Sequence, residues 1–345
     1  MTKNNEHKNL NVPDLRFPEF SGEWVETELQ DIVPNICSGK DRISNSGEVA
    51  LYGSTGVIGR TNSASYKENI VLVARVGANA GQMQIGNAPC GVTDNTLVID
   101  AKEWNYYIYY FLQHYNLNRL VFGSGQPLIT GGMLKRIKVR YGCKAERNNI
   151  TRLLCLIDER IATQNKIIEK LESLIKGIAD KLFQTARETK LLLELAPNIT
   201  SGTDKNGSGT IPLYGSTGII GKVKNASQKG NIVLVARVGT IGTVQYVKES
   251  CGVSDNALIV EAGEMTKYIY HFLKTYKFAH ITSGTTQPLI TASSLKKIAV
   301  PTYDIERQTQ IVLCLNILER KLDIEKQYLS DIAMMKQYLL HQMFI

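Results

Sequence analysis

The sequence predicts an α+β fold in which two duplicated α/β domains are separated by long antiparallel coiled-coil helices, in a pseudo-two-fold arrangement. Three observations predict it: a nine-residue phrase that occurs twice, a strand motif that occurs twice, and two long apolar heptad runs. LYGSTGVIG at residues 51–59 returns as LYGSTGIIG at residues 213–221, and NIVLVARVG at 69–77 is repeated unchanged at 231–239. This period is far longer than a solenoid unit of roughly 20 to 50 residues, so each copy should have its own core.

Other landmarks keep the same order in both copies. They are IVPNICSGKD at 32–41 against LAPNITSGTD at 195–204, CGVTDN at 90–95 against CGVSDN at 251–256, and QPLIT at 126–130 and again at 287–291. The chain is therefore predicted to consist of an N-terminal arm with the first domain (1–145), a central long helix (146–187), the second domain (188–303) and a C-terminal long helix (304–345) that pairs with the central one.

Within each copy, β-branched runs at 69–76 and 231–238 predict strands, and shorter strands are expected at 96–99 and 257–260. Helices are predicted at 106–115 and 268–276, with tyrosines that pack rather than stack on bases. The glycine-spaced phrase at 53–59 matches neither GxGxxG nor GxxxxGK[ST]. It is therefore interpreted as a glycine-rich turn and not as a phosphate cradle.

After each copy, apolar residues recur at intervals of three and four, which is the signature of an amphipathic helix. A stripe maintained over roughly 35 residues needs a partner of equal length, and the obvious partner of one long helix is the other. Gln164 and Glu325 interrupt the two stripes at corresponding places. They either form a polar layer that fixes the register or sit at the edge of the seam.

Composition narrows the class of protein. Of the 345 residues, 43% are hydrophobic, and the formal net charge of +8 favours an anionic partner such as nucleic acid. The six cysteines show no CxxC pair or zinc-ligand spacing, which is typical of a reduced cytoplasmic protein. The polar start and the lack of a long apolar run indicate neither a signal peptide nor a membrane span.

The sequence lacks the motifs of a DNA-modifying enzyme: a Walker loop, an Asn-Pro-Pro-aromatic or Asp-Pro-Pro-aromatic methyltransferase motif, or a metal-binding histidine pair. Asp94, Asp100 and Lys102 resemble the carboxylate–lysine end of a nuclease site. The second copy has Glu261 but Gly263 in place of the lysine. No catalytic or metal-binding residue is therefore predicted.

Several phrases in order resemble the specificity subunit of type I restriction-modification systems, over nearly the whole chain. They are VPDLRFPEFSGEW at 12–24, the YGSTG, VARVG and QPLIT phrases, the helix openings at Glu146-Arg147 and Glu306-Arg307-Gln308, and the helix ends at Lys181-Leu182-Phe183 and Gln342-Met343-Phe344. The arm at 15–24 has no clear counterpart before the second copy.

This resemblance implies two target recognition domains that each read one half of a bipartite double-stranded DNA site, with the helices acting as a ruler. It also implies assembly with two methyltransferase subunits and with endonuclease/translocase subunits, which bring S-adenosylmethionine, ATP, Mg and the catalytic residues. The subunit itself is expected to be non-catalytic and cytoplasmic. Two alternatives remain: a protein scaffold that does not read DNA, and a hidden nuclease or methyltransferase.

Base reading needs side chains that match base edges, whereas cations hold phosphates without reading sequence. The candidates for DNA contact are Lys40, Arg42, Ser54, Thr55, Arg60, Arg75 and Gln126 in the first copy, and Lys205, Ser216, Thr217, Lys222, Arg237 and Gln287 in the second. Arg75 and Arg237 interrupt apolar strands, so each either reaches a functional face or has a buried partner. The shared phrases are predicted to build the scaffold, and the divergent loops, such as 42–48 against 205–209, to carry the difference in base preference.

Overall fold

The computed structural model describes residues 11–33, 35–123, 127–284 and 288–345. They form two compact units, and one of these units combines residues from both ends of the chain. Unit 1 comprises the chain up to Gln164 together with Tyr328–Ile345, and unit 2 comprises Asn165–Gln327. Each unit thus contains one copy of the repeat and a part of both long helices.

Unit 1 contains an α/β head followed by the first long helix. Its strands are β1 (Val25–Glu28), β2 (Ile36–Ser38), β3 (Val49–Gly53), β4 (Gly56–Thr61), β5 (Ile70–Ala74), β6 (Met83–Gly86), β7 (Cys90–Val92), β8 (Thr96–Ile99) and β9 (Lys138–Tyr141). Its helices are α1 (Leu29–Ile32), α2 (Asn105–Tyr115), α3 (Gly131–Lys135) and the start of α4 (Lys144–Gln184).

Unit 2 repeats this order, beginning with the end of α4. Its strands are β10 (Glu188–Leu191), β11 (Asn198–Ser201), β12 (Ile211–Gly215), β13 (Gly218–Val223), β14 (Ile232–Ala236), β15 (Val244–Val247), β16 (Gly252–Val253), β17 (Ala257–Glu261) and β18 (Ala299–Thr302). Its helices are α5 (Leu192–Leu195), α6 (Thr266–Thr275), α7 (Ala292–Lys296) and the start of α8 (Ile305–Met343). The strands and helices predicted inside each copy are confirmed, and β10 with α5 provides the counterpart of β1 with α1.

The described strands pair identically in the two heads. In unit 1 they form a sheet in the order β2-β8-β5-β6, a sheet in the order β4-β3-β7 and the pair β1-β9. In unit 2 the orders are β11-β17-β14-β15, β13-β12-β16 and β10-β18. The copied sequence therefore specifies a copied topology.

The central strand β5 is buried on both faces. Val71 and Val73 belong to the main core with α2, whereas Ile70 and Leu72 pack against the β4-β3-β7 sheet. A strand covered on both sides needs apolar residues at every position, because successive side chains point to opposite faces. This is why the repeated run is continuous in apolar character and not alternating, and β14 packs in the same way.

The long helices pair antiparallel within each unit. In unit 1, Lys336 of α8 forms an ion pair of 2.6 Å with Asp158 of α4, and Arg160 Nε donates to the Tyr328 hydroxyl over 3.3 Å. In unit 2, Lys326 forms an ion pair of 2.6 Å with Glu172. The numbers fall along α8 as they rise along α4, which confirms the antiparallel direction.

The two polar residues of the seams have different surroundings. Gln164 is buried in unit 1, so it lies inside the seam and not at its edge. In unit 2, Glu325 forms an ion pair with Lys321, one turn earlier on α8. A role in fixing the helix register stays a prediction for both.

Each head core is closed by a phenylalanine at the C-terminal end of a long helix, Phe183 in the last turn of α4 and Phe344 directly after α8. In unit 1, Phe344 packs against Tyr107 and Phe111 of α2, with ring centroids 5.4 and 6.2 Å apart. In unit 2, Phe183 packs against Tyr268 and Phe272 of α6 at 5.4 and 5.5 Å. These tyrosines are buried, as predicted, and edge or tilted ring contacts of this kind add to the hydrophobic gain of burial.

The N-terminal arm is held in unit 1 by a buried ion pair. Arg16 donates from Nε and Nη2 to the two carboxylate oxygens of Glu146, over 2.6 and 2.8 Å, and from Nη1 to the Gly22 carbonyl. The Glu146 carboxylate is fully buried at the start of α4, and its bond to the guanidinium raises the pKa of Arg16. The arm is therefore an integral part of the unit 1 core.

We predict that Glu146→Ala lowers the free energy of unfolding by about 3 kcal/mol, because it leaves Arg16 without its anion at a largely buried site. Glu306→Ala is the matched control, since Glu306 lies exposed in the first turn of α8 and should change stability by less than about 0.5 kcal/mol. Urea unfolding measures both. Equal changes for the two variants would contradict the role of the ion pair.

Candidate nucleic-acid interface

The repeated glycine phrase forms a β-hairpin, not merely a turn. Strands β3 and β4 pair from Val49 to Gly53, and Ser54-Thr55 make the two-residue connection. Gly56 has φ +118° and its counterpart Gly218 has φ +115°, a backbone conformation that residues with a β-carbon rarely adopt. The sequence predicted only a turn. The structure shows a complete hairpin, in which the glycine with positive φ is the first residue of β4 or β13.

A β-bulge turns two apolar side chains toward solvent. Tyr52 pairs with Val57 and Leu51 with Gly59, so Ile58 is the extra residue. Val57 is 59% exposed and Ile58 is 45% exposed. Unit 2 has the same register shift, and Ile219 and Ile220 are exposed there.

The hairpin is fixed to the neighbouring sheet by side-chain hydrogen bonds. Gln84 Nε2 donates to the Gly53 carbonyl over 2.7 Å, and Ser54 Oγ donates to the Asn95 carbonyl over 3.1 Å. In unit 2, Gln245 Nε2 donates to the Gly215 carbonyl over 2.9 Å. A projecting element braced in this way keeps its tip in one position, which a reading surface requires.

A crossing loop, residues 39–48 in unit 1 and 202–210 in unit 2, passes over each hairpin and is held by an aspartate. One Asp41 carboxylate oxygen accepts the Val92 N–H at 2.7 Å, and the other accepts the Ser65 hydroxyl at 2.6 Å. Asp204 accepts the corresponding groups of Val253 and Ser227. Charge-assisted bonds of this type fix the loop where it passes over the hairpin.

The predicted contact residues fall into three groups. Exposed on the hairpins and crossing loops are Lys40, Arg42, Thr55, Arg60, Lys205, Thr217 and Lys222, and half-buried at the hairpin turns are Ser54 and Ser216. Arg75 and Arg237 are half-buried and donate to the hydroxyls of Ser38 and Ser201, over 3.1 and 3.0 Å. Gln126 and Gln287 lie outside the described residues. Contact with DNA stays a prediction for all of them.

Sequence reasoning missed the residues that shape this surface. Gln84 and Gln245 brace the hairpins, and Asp41 and Asp204 hold the crossing loops. All four recur at matching positions of the two copies. That recurrence was a usable signal, but the bonds join segments far apart in the chain and could not be assigned from the sequence.

The titratable groups of the heads have structural surroundings. Burial raises the pKa of the Cys90 and Cys251 thiols to about 11, which keeps them protonated at neutral pH. The nuclease-like lysine, Lys102, forms an ion pair of 2.7 Å with Asp100. In the part of the chain that the structure covers, no group of histidine, cysteine and acidic residues has the arrangement of a metal site.

None of the helices in the described ranges combines the length and apolar character that crossing a membrane requires.

Comparisons with known proteins agree on one family. The sequence profile described as the type I restriction modification DNA specificity domain matches residues 21–173 and 192–334. A Mycoplasma genitalium protein named as a type I specificity subunit is 24% identical, over 96% of this chain and 92% of its own. The type I restriction enzyme MjaVIII specificity subunit of Methanocaldococcus jannaschii is 30% identical, over 49% of this chain and 43% of its own.

Solved structures show the same fold. The crystal structure of the type I restriction-modification S subunit from M. genitalium superposes with a TM-score of 0.70 at 18% identity, covering 97% of this chain and 99% of that one. A chain from a study of the assembly and conformational transition of a type I system gives 0.54 at 13% identity, covering 95% and 98%. With two matched domains and long helices between them, the chain belongs to the family of type I restriction-modification DNA specificity subunits.

Proposed function

We propose that each unit reads one half of a bipartite double-stranded DNA target, and that partner subunits supply the catalysis. The observation that carries this proposal is the recurrence in both units of one braced hairpin with an exposed tip and flanking cations. Arg42 and Arg60 flank it in unit 1, and Lys205 and Lys222 flank it in unit 2. Two copies of one reading element suit a target with two halves.

The surface chemistry supports a DNA partner. Cations on exposed loops hold phosphates, and the net charge of +8 gives long-range attraction to a polyanion. The exposed apolar residues next to the hairpin turn, such as Val57 and Ile219, can contact thymine methyl groups in the major groove, which cations alone cannot read. A scaffold that only bound proteins would not need this combination in both heads.

The long helices suit the role of a spacer. α4 has 41 residues and α8 has 39, and each continues without interruption from one unit into the other. An α-helix has a fixed rise of about 1.5 Å per residue, so it transmits a distance better than a loop of equal length. We infer that helix length sets the spacing between the two half-sites.

A second apolar stripe on the helices supports assembly with partner subunits. Beyond the seam residues, α8 exposes Leu313, Ile317 and Ile324 in unit 2 and Tyr328, Met335 and Tyr338 in unit 1. Spacings of three, four and seven residues, as between these positions, are typical of a helix that packs along another helix. We infer that helices of two methyltransferase subunits dock here, and that endonuclease/translocase subunits join the complex.

In this proposal the specificity subunit is non-catalytic and acts in the cytoplasm, where host DNA lies. The partners hold S-adenosylmethionine, ATP and Mg. The division of labour separates target choice from chemistry, so a new specificity needs changes in this chain alone.

Methylation sequencing of a host that carries the complete system tests the function directly. We expect methylation at a split motif whose two halves are related as an inverted repeat, because the two reading elements are so alike in sequence and geometry. A host without this chain is the control and should lose the motif. Methylation without any split motif would contradict the function, and two wholly unrelated halves would contradict the inferred relation between them.

Phosphate contact by the hairpin cations predicts a salt effect. Arg60→Ala should weaken binding of the assembled complex to all duplexes alike and reduce the slope of log affinity against log salt by about 1. Arg140→Ala is the control, since Arg140 lies on β9 and is paired with Glu26 at 2.8 Å. Titrations of specific and scrambled duplexes at several salt concentrations measure this, and an unchanged slope in Arg60→Ala would refute the phosphate contact.

The docking stripe predicts a selective loss of assembly. Ile317 is 60% exposed, so Ile317→Asp should leave the isolated chain folded but reduce binding of the methyltransferase subunit at least tenfold. Asp323→Lys changes an exposed charge about 120° around the same helix and should have little effect. Size-exclusion chromatography and calorimetry with the purified methyltransferase measure both variants. Normal assembly of Ile317→Asp would exclude this part of α8 as the docking surface.

A further inference from the structure

The two crossing loops differ in sequence but meet their hairpins in the same way. In unit 1 the Ser44 N–H donates to the Arg60 carbonyl over 2.8 Å, and in unit 2 the Gly207 N–H donates to the Lys222 carbonyl over 2.9 Å. Both anchor points follow the clamped aspartate by three residues. The residue just before each anchor therefore occupies the same place in the two units.

That place holds Ile43 in unit 1 and Asn206 in unit 2. The Ile43 side chain lies over Gly59, so that a methyl group on this glycine would come within 3.4 Å of Ile43 Cγ1. The Asn206 amide lies over the matching Gly221, where an added methyl group would collide with it. Both side chains therefore rest on the hairpin at the same glycine position, and in unit 2 the lack of a side chain at Gly221 makes room for Asn206.

The charged residues near this position are cations in both units, whereas the residue at the position itself differs. Arg42 corresponds to Lys205 and Arg60 to Lys222, so in both units one cation precedes this position on the loop and another lies on the hairpin next to the contacted glycine. Between them the side chain changes from a branched alkyl group to an amide. In a surface where cations hold phosphates, a variable residue between conserved charges is the one able to distinguish bases.

We propose that Ile43 and Asn206 are specificity-determining residues, each selecting one base pair of the half-site that its unit reads. This inference rests on the proposed function. Ile43 is 62% exposed and offers only apolar contact, which suits the methyl group of thymine. Asn206 Oδ1 accepts the Lys222 N–H over 3.0 Å, which orients the amide and leaves its Nδ2 hydrogens to donate to purine N7 or guanine O6.

Reciprocal exchange tests the proposal in the complete complex. Ile43→Asn should change the preferred base pair at one position of the first half-site toward that of the second, and Asn206→Ile should do the reverse. In each variant the other half-site should stay as in the wild type. We expect the relative methylation of matched and altered duplexes to change about tenfold or more.

Val25→Asn is the matched control, because Val25 is 56% exposed in the same unit but lies on β1, away from the hairpin. It should leave the motif unchanged. If an exchanged variant no longer methylates, duplexes selected from a randomised library by the assembled variant complex report its preference directly. A uniform loss of affinity for all sequences would overturn the proposal, as would an unchanged motif in both exchanges. A wild-type complex without a split motif would instead refute the proposed function.

Discussion

The rest of the structure depends on the burial of one phenylalanine side chain in the core of each unit. Phe183 completes the unit 2 core, although it ends the helix that follows the first head in the chain. Phe344 completes the unit 1 core, although it directly follows the helix after the second head. In each head this phenylalanine ring covers the aromatic residues of α2 or α6 and excludes water from them. Within each unit, the head and the parts of the long helices therefore share one core.

The two copies share their backbone geometry but differ in the chemistry of some side chains. The contact between each head and a long helix, close to the buried phenylalanine, is an example. In unit 1 the Tyr110 hydroxyl donates to Asp158 over 2.8 Å. In unit 2 the matching position is His271, whose Nε2 lies 3.0 Å from Asn316 Oδ1. Burial lowers the pKa of His271, although the Glu319 carboxylate, at the position that corresponds to Asp158, lies 3.6 Å from its Nδ1. Asn316 corresponds to Cys155, so both units keep an acidic residue here, whereas the tyrosine hydroxyl of unit 1 is replaced by an imidazole with an amide partner in unit 2.

The sequence predicts the parts of this fold that depend on local periodicity. The strands β5 and β14 follow from continuous β-branched runs, and α4 and α8 follow from apolar spacing over many turns. The hairpins did not follow, because the bulge at Ile58 breaks the alternation that marks a strand. The arm was recognised as a phrase, but its partner Glu146 is 130 residues from Arg16, and no local pattern links them.

The candidate site shows the same limit, and it contains one position at which the two similar heads differ beside an otherwise shared hairpin. Asp41 and Ser44 are constrained, because the first accepts a backbone N–H of β7 and the second donates its N–H to the Arg60 carbonyl of the hairpin. Ile43 lies between these constraints, yet its side chain faces largely solvent and contributes little to the core. A substitution there costs little stability, since surface changes away from caps and networks have small effects. After the duplication, substitutions should therefore accumulate first at this position, while the constrained neighbouring residues keep the scaffold the same.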